Sequence, residues 1–276
     1  MVARNDTAST PKRETTVTER QTIESTVMEH EERIQLAQNL CARMVARHPG
    51  AVILGGVYGS TARDADTQWS DLEMLFVVRD GSKVEGKEFL YRGTAIRYQV
   101  IEQGKLEELL TNPSLKWPFW MGVLNVLKVL HGDPEQVRAW MQLGQSVPTE
   151  RFRQALEASL PGLVVESYGR ILSCQERGNT HDIGCAVIEV LFEMNKALCL
   201  LNQRWVTHDY YQGLVDAFSF SKLPEGYQDL VPVMWPARAV DEIVRLAETL
   251  VRNFWQLLAD EGIEVKNYHT VEDLPL

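Results

Sequence analysis

Cysteine is scarce in this 276-residue chain, and no Cys-x-x-Cys spacing occurs: Cys41, Cys174, Cys185 and Cys199 are scattered, three of them in apolar, helix-like surroundings. They read as buried free thiols of a reducing compartment, and nothing beside them in sequence activates one as a nucleophile. No apolar run approaches a membrane span, and the N-terminus lacks the hydrophobic centre of a secretory signal. A cytoplasmic protein with no membrane partner is therefore expected. Basic residues are the scarcer charge, 28 against 38 acidic, for a net charge of −10. That balance and the lack of a basic stripe argue against nucleic acid as a partner and favour a cationic one. Internal repeats are also missing.

What is present is a real core. Hydrophobic residues make up 45% of the chain, enough for one large or two ordinary domains. Residues 1–25 are polar and almost free of large apolar groups, and predict a flexible N-terminal arm. Residues 26–47 carry apolar groups at helical spacing and stop before His48-Pro49-Gly50. Two short apolar runs follow as strands, then a hairpin over 89–101 with its turn at Gly93, a helix starting at 106, and an apolar stretch over 115–130 interrupted by Pro118. A surface loop is expected around His131-Gly132-Asp133-Pro134. From residue 150 the pattern is helical, with segments at 151–176, 182–201, 206–220 and 238–260. An N-terminal α/β unit followed by a helical domain is predicted, an α+β chain overall.

The chemistry concentrates in GVYGSTARDADTQWSDLEMLFVV. Gly59-Ser60 is followed, ten residues later, by Asp71-Leu72-Glu73. On a strand, two acids separated by one residue share a face, which makes them a clamp for a divalent ion. The Gly-Ser turn offers backbone N–H groups and a hydroxyl where phosphates can lie. Either half arises by chance in many proteins. Their conjunction on two adjacent core strands is the informative observation, because acids facing a core need a compensating charge, and Mg²⁺ takes one or two carboxylates plus substrate phosphates.

With these residues and the helical second half, the chain resembles the aminoglycoside 4′-nucleotidyltransferases, the kanamycin nucleotidyltransferase family of the polymerase-β-like superfamily. The resemblance rests on Gly59, Ser60, Arg63, Asp71 and Glu73, on His181-Asp182 and Leu191-Phe192-Glu193, on Leu223 to Tyr227, and on Asn253 to Trp255. It runs from about residue 50 to 255. It implies a nucleotidyltransferase domain at 26–148 and a helical substrate-binding domain at 149–276. It also implies transfer of a nucleoside monophosphate from Mg-ATP or another nucleoside triphosphate to the 4′-hydroxyl of an aminoglycoside, with release of pyrophosphate, in an antibiotic-resistance enzyme.

The same resemblance places two Mg²⁺ on Asp71 and Glu73, and the nucleotide on Gly59, Ser60 and Arg63. It assigns the general base to Glu193, with Glu189 one helical turn earlier as a contact for an ammonium-rich sugar. It further implies a homodimer. Two positions depart from the family pattern. A third carboxylate on the strand after the metal pair is replaced by Gln99, with Glu102 the nearest acid downstream. The phosphate-binding lysine expected one turn after the base falls on Ala197, with Lys196 one residue earlier as its substitute. Asp182 is read as a helix-start cap. The motif specifies the donor rather than the acceptor, so a nucleotidyltransferase acting on another small molecule, a protein or an RNA end is the alternative, and a non-catalytic nucleotide-binding relative the third reading.

Overall fold

The computed structural model describes residues 28–275, so the expected arm at 1–25 lies outside the described residues. Helix α1 (His30–Arg47) opens with a capping box between Glu29 and Glu32 and ends on Arg47, in accord with the helix dipole. It is followed by β1 (Val52–Tyr58), a single turn α2 (Gly59–Ala62) and β2 (Leu72–Val78). The hairpin β3 (Lys87–Tyr91) and β4 (Thr94–Glu102) comes next. Its two-residue turn has positive φ at Arg92 and Gly93, as a hairpin with right-handed strand twist requires.

Strand order is β3-β4-β2-β1-β5, with β2 and β4 parallel and every other pair antiparallel, so the sheet is mixed. The fifth strand, β5 (Lys128–His131), was not expected. It ends the 115–130 stretch read as a kinked helix. Helix α4 (Trp117–Val126) instead begins with Pro118 in its first turn, where a missing N–H costs nothing, and the chain then pairs Lys128 with Val57 and Val129 with Gly56. Helix α3 (Gln103–Thr111) follows β4, and α5 (Pro134–Gln145), capped by the Asp133 carboxylate, occupies residues with no assigned helix in the sequence.

The helical part comprises α6 (Thr149–Ser159), α7 (Glu166–Glu176), α8 (Ile183–Asn202), α9 (Tyr210–Asp216), α10 (Tyr227–Met234) and α11 (Val240–Asp260). The expected 151–176 helix is broken by a π-helical turn at Pro161–Val165, where proline removes a ladder hydrogen bond. The segment expected as helix from 206 stays extended to 209. The Asp216 side chain accepts the backbone N–H groups of Thr207 (3.0 Å) and His208 (3.2 Å), which withholds them from a helix. Asp182 stands at the α8 start but does not cap it. Asn179 Oδ1 accepts from the N–H of both His181 and Asp182, and the Asp182 carboxylate is occupied by the Asn179 amide.

The two faces of the sheet pack differently. Val57, Leu72, Met74, Phe76 and Ile96 meet Ala37 and Cys41 of α1 on the outer face. Leu54, Tyr58, Leu75, Val77 and Ile101 meet Trp117, Met121 and the helical part on the inner face, in one continuous core. The boundary expected at 148 falls in the turn between α5 and α6. Cys41, Cys174 and Cys199 are buried free thiols as expected, while Cys185 is exposed.

Candidate active site

Strand alternation puts Glu73 on the inner face with Leu75 and Val77, and the β1 register places it opposite Tyr58. Gly59 follows Tyr58 with φ of 71°. A Cβ at this position would strike Glu73 Oε2, so glycine is needed both for its dihedral and for the carboxylate lying against it. The intervening loop is fixed from α1. Arg33, buried, forms an ion pair with Asp66 and donates to the carbonyls of Thr67 and Ser70 at 3.2 Å; His30 bonds Asp66 at 2.6 Å and Asp64 at 3.1 Å, and Lys128 bonds Asp64 at 2.6 Å. This network sets the distance between the Gly-Ser turn and the carboxylates.

Tyr58, Gly59, Arg63 and Glu73 form one wall of a cleft of about 310 Å³, a size suited to a small-molecule site. The other wall is Leu115, Phe119 and Val123 with Phe192, Asn195, Lys196 and Cys199 of α8 and the segment Val206 to Tyr210. That segment runs between two non-glycine residues in left-handed conformation, Gln203 and Tyr210, both with φ of 52°. Such strain is retained where surrounding contacts enforce it. The contacts are the Asp216 carboxylate behind the segment and the Arg63 guanidinium, which donates to Thr207 O at 2.6 Å. A larger depression of about 1080 Å³ between α1 and the β3–β4 hairpin holds none of the motif residues.

Electrostatics mark the cleft. Burial first, then the charges of Asp71 and Asp209, push Glu73 up to about 7 against the opposing pull of Arg97 and Arg63. Tyr58 is likewise pushed up by burial and by Glu73. Cys199 is pushed up to about 12, mainly by burial, so no thiolate serves this cleft. Arg63 Nε and Asn195 Oδ1 are buried atoms of cleft-lining residues without hydrogen-bond partners, while Tyr58 is coupled to Glu73. Orphaned polar atoms gathered in one cavity call for a polar ligand.

The sequence-predicted residues divide. Gly59, Arg63, Glu73 and Lys196 line the cleft, and Asp71 acts on Glu73 through its charge. Ser60 follows Gly59 in α2, where its carbonyl accepts the N–H groups of Arg63 and Ala65. Arg97, not Gln99, stands level with Glu73 on β4, paired with Glu88 at 3.0 Å; Gln99 sits two register pairs deeper, beside Leu75. Glu102 pairs with Val78, five residues along the ladder from Glu73, or roughly 16 Å away, and accepts the Gly81 N–H. It is removed from this site. Glu193 and Glu189 do not line the cleft: Glu193 bonds Lys196 at 2.6 Å, and Glu189 bonds Arg170 of α7 at 2.8 Å. Arg170 also bonds Glu166 at 2.8 Å, so α7 carries a glutamate with a cation one turn later, the spacing that Glu193 and Ala197 lack.

Asp209, His208 and Asp216 were missed. His208 and Asp209 lie in the stretch expected as helix from 206 that stays extended, Asp216 ends α9, and only the fold brings Asp209 near Glu73.

Among the described residues no three His, Cys, Asp or Glu side chains converge as a closed metal cage. Two adjacent carboxylates, one desolvated and short of positive charge, fit Mg²⁺ completed by phosphate oxygens.

No family model matches the chain. A nucleotidyltransferase-like protein from Exiguobacterium sibiricum aligns with 83% of this chain and 75% of its own, at 14% identity and a TM-score of 0.48. Two proteins named aminoglycoside nucleotidyltransferase (4′), from a Bacillus species and from Staphylococcus aureus, are each 24% identical over 239 residues, covering 83% of this chain and 89% of theirs. The chain is thus similar, over most of its length, to nucleotidyltransferases.

Proposed function

We propose that this protein is a nucleotidyltransferase that moves a nucleoside monophosphate from a Mg²⁺-bound nucleoside triphosphate to the 4′-hydroxyl of an aminoglycoside. The observation that carries the reading is the Glu73 carboxylate pressed against the Gly59 turn on the wall of a cleft, with Asp71 beside it. Its support is the similarity to the two aminoglycoside nucleotidyltransferases. Asp71 and Glu73 hold Mg²⁺, which when bound neutralises the triphosphate charge. The Gly59-Ser60 turn and Lys196 take the phosphates, and Arg63 keeps the two walls together through its bond to Thr207 O. Tyr58 and Asn195 line the same cleft. Glu73 and Asp209 in the lining, with Asp71 beside Glu73, offer carboxylates to an acceptor rich in ammonium groups.

The proton of the attacking hydroxyl goes to a helical glutamate. Glu193 is the assignment carried by the resemblance, and its bond to a cleft lysine keeps it next to the reaction. Replacing it with glutamine is expected to lower kcat by roughly 10²–10⁴-fold with nucleotide binding intact. If neither this variant nor Glu189→Gln changes turnover, the helical carboxylates are a solvated face and the base lies elsewhere. Incubation with Mg²⁺, ATP and a panel of aminoglycosides tests the function. Pyrophosphate and a mass gain of one nucleotidyl group are expected for acceptors with a 4′-hydroxyl. Equal turnover of a 4′-deoxy analogue would show the regiochemistry to be wrong, and no pyrophosphate with any acceptor would remove the reading.

A further inference from the structure

His208 is the histidine of the cleft, and its ring is gripped from one side. Nδ1 lies 2.9 Å from Asp216 Oδ2 and 3.1 Å from Oδ1, and the same carboxylate accepts the backbone N–H groups of Thr207 and His208. A carboxylate accepts only, so Nδ1 is the donor in this bond. Burial alone would raise Asp216, yet the bonds from His208 and the backbone outweigh it and hold the carboxyl below its ordinary range. Asp216 does not line the cleft whereas His208 does, so Asp216 stands behind a residue that borders the ligand space.

Lys196 is already paired with Glu193 and one Arg63 N–H donates to Thr207 O, while Asp71, Glu73 and Asp209 add negative charge around the cleft, so a triphosphate has use for a further donor. We propose that His208 is a phosphate-binding residue of this cleft, donating through Nε2–H to the terminal phosphates of the bound nucleotide while Asp216 holds the ring from behind. The ring is then a donor at both nitrogens, a charge-assisted arrangement that a carboxylate partner favours. Asp216 is a positioning residue, and the strained segment 203–210 is the frame that brings the ring to the phosphates. The inference rests on the nucleotidyl-transfer reading and specifies how that site recognises its donor.

Binding of Mg-ATP and of AMP to the full chain, without acceptor, separates the two. His208→Asn is expected to weaken ATP binding by roughly 10–100-fold and AMP binding by less than about threefold, since only ATP carries the phosphates in question. Asp216→Asn is expected to weaken ATP in the same direction by a smaller factor, because the donor remains but its orientation is loosened. His208→Lys should regain part of the ATP affinity, and His208→Phe, which keeps the bulk and loses the donors, should not. Unchanged AMP binding shows that each variant folds; where His208→Asn does not fold, the Lys and Phe pair decides. Equal losses for ATP and AMP, or unchanged ATP affinity in His208→Asn and His208→Phe, overturn the assignment. So does a variant with ATP affinity intact whose kcat alone falls and is rescued by added imidazole, which makes His208 a base. If the wild type binds no nucleotide, the underlying reading falls and this one with it.

Discussion

Two half-buried carboxylates stand on opposite sides of the cleft, and desolvation pushes both in the same direction, yet they end on opposite sides of the ordinary range. Glu73, on the sheet, is raised to about 7, because its neighbours Asp71 and Asp209 are acids and the countervailing Arg97 and Arg63 act more weakly. Asp216, behind the helical wall, is lowered, because a ring N–H and two backbone N–H groups end on it. The difference separates a finished contact from an unfinished one. Asp216 has all its partners within the protein and holds a segment in place. Glu73 has its charge left over for something that arrives with positive charge.

The sharpest way to break that comparison is to remove the unfinished side. Asp71→Asn and Glu73→Gln are each expected to lower transfer by at least about 10³-fold, because the charge they remove acts where the reaction's own charge develops. Steady-state kinetics with Mg-ATP check this, and a loss of only a few-fold in both would sink the assignment of the metal to this pair. Gly59→Ala is expected to act next most strongly. Its Cβ meets Glu73 Oε2 and its φ of 71° disfavours any side chain, so the turn and the carboxylate must move apart. A cost of about 1–3 kcal/mol in stability and a loss of Mg-ATP affinity are expected together. A variant that loses stability but keeps affinity would show that the turn does not set the phosphate site.

The sheet side of this contrast was legible in the sequence because strand geometry is local. Period-two alternation fixes that residues 71 and 73 share a face, and a glycine before a serine at a strand end predicts a turn before any tertiary contact is known. The helical side was not. Glu189 and Glu193 do share a helix, but their actual partners, Arg170 and Lys196, depend on where α7 packs and how one side chain turns. The His208 segment reads as the start of a helix in the sequence, yet it stays extended to residue 209. Its shape comes from a single carboxylate eight residues downstream competing for backbone N–H groups, an interaction no window of hydrophobicity registers. Strand β5 was hidden for a related reason, since the residues 128–131 continue an apolar run and only pairing with β1 decides their conformation.

The smallest expected effect is the one that reads the two carboxylates directly, as opposite pH trends in the stability of the ligand-free protein. Glu73 holds its proton more tightly in the folded state, about 7 against an ordinary 4.5, so folding is indifferent to it below about pH 4.5 and is penalised increasingly up to pH 7, then by a constant amount. Glu73→Gln should therefore raise Tm at pH 8 and leave it unchanged near pH 4.5, by a stabilisation on the order of 1–2 kcal/mol once solvent access to the group is allowed for. Asp216 has the reverse sign. Its folded carboxyl is held below the ordinary value, so its contribution is complete above the unfolded pKa and is lost as pH falls through the folded one. Asp216→Asn should lower Tm at pH 7–8, by about 1–2 kcal/mol for a charged partner removed, and the gap to wild type should narrow in acid. Melts in EDTA between pH 4 and 8 measure both, and the same trend in the two variants would show that the walls are not opposed as described. Adding Mg-ATP at pH 8 then sharpens the point: the wild type should recover more than Glu73→Gln does, because ligand binding stabilises only the chain that still has the charge to receive it.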